Sequence, residues 1–118
     1  MVSGEFSGLA RQDGNEVVVE LKGNGDGRSQ ADLEQFISRV ENGAKTLKVS
    51  AVRVDLRDAQ FMNSSCLKVL VSWLARLQEQ PADQQHKVVF ISDPAKHWQK
   101  RSLTPLSLFA PELVEIRT

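Results

Sequence analysis

The chain has 118 residues, 41% hydrophobic and 25% charged, and its 15 basic side chains balance 15 acidic ones. That size fits one domain, 1–118, able to bury a core without metal or disulfide, and the balanced charge supplies no basic excess for neutralising nucleic-acid phosphates. One cysteine, Cys66, excludes an internal disulfide, and no leader-like start or long apolar run is present, so the expectation is a cytoplasmic protein that inserts in no membrane.

Phe6 to Gln12 reads as a weak strand, Asp13-Gly14 as a hairpin turn, and Glu16 to Lys22 as a stronger strand whose Val17, Val18, Val19 and Leu21 imply burial on both faces. Gly23-Asn24-Gly25-Asp26-Gly27 reads as a strand-to-helix loop. It lacks the Lys-Ser/Thr pair of a phosphate-binding loop. Ser29 and Asp32 have capping-box spacing, Leu33, Phe36, Ile37 and Val40 lie on one helical face, and Asn42-Gly43 predicts the helix end. Ala51 to Leu56 is the next strand, followed by a polar connection, Arg57 to Gln60.

Asn63 is placed to cap a helix by accepting from the N–H of Ser65 or Cys66. Leu67, Leu70, Val71, Leu74 and Leu77 then share one face, with Lys68, Ser72, Arg76 and Glu79 opposite, until Gln80-Pro81. By that phase Ser65 lies with Lys68 and Ser72, and Ser64 nearer the edge of the polar face. Lys87 to Ser92 is a buried strand. Asp93-Pro94 predicts a helix start, Pro105 a break, and Leu113 to Ile116 a last strand, with Trp98 and Leu103 packing inward. The order β-β-α-β-α-β-α-β implies an α/β fold: a mixed sheet of about four to five strands with helices packed against it.

Little chemistry is spelled out. His86 and His97 stand apart with no ligand cluster, so no metal or cofactor is expected. His86 is expected where its strand begins, and His97 exposed on a helix. No Gly-x-Ser-x-Gly elbow surrounds Ser64, and Asp55 and Asp58 read as solvated acids, so no catalytic residue is assigned and the chain is not expected to be an enzyme. Cys66, in a first helical turn, could have a lowered thiol pKa and act as a redox sensor.

The run Val54-Asp55-Leu56-Arg57-Asp58-Ala59-Gln60-Phe61-Met62-Asn63-Ser64-Ser65-Cys66-Leu67 resembles the central motif of STAS domains, the anti-sigma factor antagonist family, in which a strand and an apolar pair lead into Asp-Ser-Ser-Gly-Leu and a helix. The resemblance implies a STAS-like fold and a bacterial partner-switching regulator whose phosphoacceptor would be Ser64, with Ser65 the alternative. It implies as partners a serine kinase or anti-sigma factor of the histidine-kinase-like ATPase fold and a PP2C-type phosphatase. The partner surface would comprise Asn63, Ser64, Ser65, Cys66, Lys68, Ser72 and the Gly23 to Ser29 loop with Asp26. Asn63 stands where the family has aspartate, and Cys66, in place of glycine, adds bulk that implies an altered docking surface. Both departures suit a second role, a non-phosphorylated adaptor subunit of a transport or signalling complex.

Overall fold

A computed structural model describes all residues, 1–118. In chain order the elements are β1 (Val2–Ser3), β2 (Phe6–Asp13), β3 (Glu16–Gly25), α1 (Gln30–Leu47), β4 (Ala51–Asp55), β5 (Ala59–Met62), α2 (Ser64–Gln78), β6 (Lys87–Ile91), α3 (His97–Phe109) and β7 (Val114–Arg117), with 3-10 turns at Gly27–Ser29 and Ala82–Gln84. The expected order holds. The short strands β1 and β5 add to it, so the mixed sheet has seven strands rather than four or five.

β2 runs antiparallel to both of its neighbours, β1 and β3, and β3, β4, β6 and β7 then lie side by side in parallel. Because β3-β4-β6-β7 advances across the sheet in one direction, right-handed crossovers put α1, α2 and α3 on one side. The core agrees: Val17, Val19 and Leu21 of β3, Val52 and Val54 of β4, and Val88 and Phe90 of β6 join one apolar cluster with Leu33 and Ile37, Leu70 and Trp73, and Leu103 and Leu106. The alternate residues of each strand face away from the helices. On that side Arg53 pairs with Asp13 at 2.7 Å and Glu16 at 2.9 Å, and its cross-strand neighbours Val18 and Val89 are buried.

Several boundaries differ from expectation. The hairpin turn is Gly14-Asn15, one residue later than Asp13-Gly14. Gly14 takes φ +61°, which suits the first central position of a type II′ turn. Ser29 makes no cap: it is buried, and Asp26 instead accepts from the Arg28 N–H at 2.9 Å to start the 3-10 turn before α1. α1 does not stop at Asn42-Gly43. Buried Glu41 and Ala44 continue its packed face, Glu41 meets Arg76 of α2 at 3.0 Å, and the helix ends at Lys48 in the left-handed region. Asp93-Pro94 forms a turn, with the Asp93 carboxylate accepting from Ala95 N–H, and α3 begins only at His97. α3 then runs through Pro105, which is exposed.

Candidate functional site

The parallel strands β3, β4, β5, β6 and β7 end on one rim, where open α/β sheets place their binding sites. β3 outruns β4 there, and Gly23 to Gly25 pair with β5, which extends the rim toward α2. Gly23 allows this. It takes φ +89°, and a Cβ on it would lie 1.8 Å from the Glu5 carbonyl oxygen.

β5 delivers the chain to Asn63. Its N–H donates to the Gly25 carbonyl at 2.9 Å, and its side-chain oxygen accepts from Cys66 N–H at 3.1 Å. The predicted cap is therefore in place, through Cys66 rather than Ser65. Ser64, the first helical residue, is exposed, and Ser65 is half-buried. This reverses the sequence phase. Ser64, Lys68 and Ser72 form the exposed stripe, and the packed face comprises Cys66, Val69, Leu70, Trp73, Leu74 and Leu77, while Leu67 and Val71 are half-buried.

Asp26 joins this group from the adjoining turn. Its carboxylate pairs with Arg28 at 2.8 Å, and the Arg28 hydrogen bonds hold it below the usual carboxylate range. Cys66 lies beneath it, fully buried, its Sγ donating to the Asp26 carbonyl at 3.4 Å. Burial first, and Asp26 second, push the thiol pKa up. The redox reading of Cys66 is thereby corrected: desolvation outweighs the helix dipole, and a buried neutral thiol is a poor nucleophile. The expected bulk at the docking surface is corrected too, because the side chain points into the core.

Of the remaining candidates, Asp55 is bound to Arg57 at 2.7 Å, Asp58 is exposed, His86 is buried just before β6, and His97 is exposed on α3. No three His, Cys, Asp or Glu side chains converge as a metal cluster. No helix is long and apolar enough to cross a membrane.

The sequence reading missed two parts of the rim. Phe61 of β5, half-exposed, packs on Trp98 of α3, with ring centroids 5.9 Å apart. Trp98 packs inward against the core cluster as expected, but it remains half-buried, with part of it at the surface. The sequence carries little signal for Phe61: β5 has four residues, and both Gln60 and Phe61 are exposed, without strict alternation. Gln99 is fully buried. It donates to the Leu56 and Ala59 carbonyls at 2.6 and 3.1 Å and accepts from Asp93 N–H at 2.8 Å, tying α3 to the segment that leads into β5.

The family model described as "Mlab, STAS domain" matches residues 9–88, more than half of the chain. Among solved structures the fold is similar to an anti-sigma factor antagonist from Mycobacterium paratuberculosis, with a TM-score of 0.69 and 20% identity over 95% of this chain and 85% of that one. It is also similar to the anti-sigma factor antagonist SpoIIAA in its unphosphorylated form, at TM-score 0.64 and 17% identity over 95% and 89%. The Bacillus cell fate determinant SpoIIAA in the phosphorylated form gives TM-score 0.61 and 18% identity over 95% and 92%. No curated protein sequence matches the chain. With its one-sided sheet, its strand-to-Asn-Ser-Ser-helix motif and the matching family model, the chain belongs to the STAS domain family.

Proposed function

We propose that the chain is a regulatory binding protein of the anti-sigma factor antagonist type, switched by reversible phosphorylation of Ser64. The observation that carries this reading is the exposure of Ser64 at the first position of α2, beside a half-buried Ser65. A phosphate there meets the positive end of the helix dipole and unpaired N–H groups, so the fold tolerates it. No acidic residue occupies the first turn to repel it, and Lys68 lies one turn on. The roughly 1.5 to 2 added negative charges then act on the docking partner rather than on the fold. One of the similar solved structures is a phosphorylated form.

The proposed partners are a serine kinase or anti-sigma factor of the histidine-kinase-like ATPase fold and a PP2C-type phosphatase, acting in the cytoplasm. The chain does no chemistry and is itself the substrate. Incubation with the cognate kinase and ATP should place phosphate on Ser64. A kinase active on another substrate that leaves both Ser64 and Ser65 unmodified overturns the switch.

Asn63 favours a second reading, a constitutive adaptor within a transport or signalling complex, because an amide caps the helix without supplying the family's carboxylate beside the hydroxyl. Ser64→Ala and Ser64→Asp forms that both bind the partner like the parent chain would select the adaptor.

A further inference from the structure

The charge pattern of α3 is inverted relative to helix electrostatics. α1 carries Asp32 in its first turn and Lys45 in its last, and α2 carries Arg76 in its last, as the dipole favours. α3 has no acid in its first turn, no base in its last, and no side chain capping its start. Its early residues instead read Lys96-His97-Trp98-Gln99-Lys100-Arg101. Cations at a helix start cost local stability, and local costs of this kind mark functional surfaces.

Their surroundings point the same way. Lys96 is committed to Asp93 at 3.0 Å and the Arg57 carbonyl at 2.6 Å, whereas exposed Lys100 and Arg101 reach no carboxylate within ion-pair distance. Trp98, among these cations, packs on Phe61, which is 50% exposed. Gln99, between Trp98 and Lys100, is anchored by three hydrogen bonds, two of them buried. The start of α3 thus combines a half-exposed aromatic pair with two exposed, unpaired cations, Lys100 and Arg101, and aromatic and arginine side chains are the ones that dominate binding energy at protein interfaces.

We infer that the start of α3 and the Phe61–Trp98 pair form a docking surface for an acidic segment of a protein partner. Charge complementarity selects the occupant. A nucleic acid fits less well: the rings are tilted by 59° and Trp98 is half-buried, which does not make a platform for successive stacked bases. The surface adjoins the Ser64 stripe through Phe61, yet its charge is present whether or not Ser64 is modified, so the two proposals fail separately.

The test uses the full chain without kinase and a random glutamate–tyrosine copolymer as probe. Trp98 reports contact, since the other tryptophan, Trp73, is fully buried. Salt-sensitive binding that shifts Trp98 emission is expected. The Lys100→Glu/Arg101→Glu pair should weaken it by about tenfold or more, Phe61→Ser should also weaken it, and Arg39→Glu/Lys45→Glu on α1 should change it by less than about twofold. The thermal midpoint of the α3 pair should not fall, because acids near a helix start are favoured. Equal losses from the α1 and α3 pairs, no binding at low salt, or tighter binding of single-stranded oligothymidine would overturn the inference.

Discussion

Asn63 illustrates how much one side chain can be read from sequence. A short polar residue before an amphipathic run predicts a cap, and the structure supplies the bond to Cys66 N–H. Asn63→Ala should lower unfolding free energy by about 1 kcal/mol in urea denaturation, while Asn63→Asp should retain it. An unchanged midpoint for the alanine form would show that the cap contributes nothing. Ser29 carried a similar signal and failed, because the chain enters α1 through a 3-10 turn capped three residues earlier by Asp26. A capping-box pattern does not reveal a turn that intercepts it. Cys66 failed for another reason. Its distance from the helix start was legible, but the burial that raises its pKa, with Asp26 adding to it, joins segments far apart in sequence.

Among the elements, β3, β4, α2 and β6 were legible because their apolar spacing coincides with tertiary burial. β5 was not, since four residues carry too little periodicity and its pairing with β3 depends on Gly23. α3 was split at Pro105, yet the missing N–H falls on an exposed face, and the hydroxyls of Thr104 and Ser107 bond the Lys100 and Thr104 carbonyls around it. Glycines separate two meanings within these elements. Gly23→Ala meets backbone and a left-handed φ, and should cost about 3 kcal/mol, as overpacking and strain combine. Gly43→Ala lies inside α1 with nothing within 4 Å of its new Cβ, and should raise stability by about 1 kcal/mol. Thermal and urea unfolding of the two variants check both signs, and the same sign for both would refute the assignment.

For the molecule as a whole, strand–helix alternation gave the layered architecture, while the one-sidedness of the helices required the strand order. His86 ties the two layers together. It is buried at the start of β6 against Trp73 of α2, and burial, with Lys45 adding, lowers its pKa from 6.5 to about 4. The unfolded chain therefore takes up a proton that the folded chain refuses. The associated stability is present above pH 6.5 and lost as pH falls toward about 4, a decline of about 3 kcal/mol. The lowered carboxyls of Asp26, Asp55 and Asp93 act below their ordinary value of 3.8, so the windows separate. His86→Gln should flatten the slope between pH 6.5 and about 4 in urea midpoints, and an unaltered slope would assign it elsewhere.

β7 runs parallel to β6, so Thr118 emerges on the rim that carries Ser64 and Trp98, while Met1 sits midway along the outer edge of β2, with its ammonium on the Gly8 carbonyl. An affinity tag or fluorophore fused after Thr118 would share that end of the molecule with an incoming protein. Immobilisation through lysine or carboxylate chemistry on the bare side of the sheet would leave it clear.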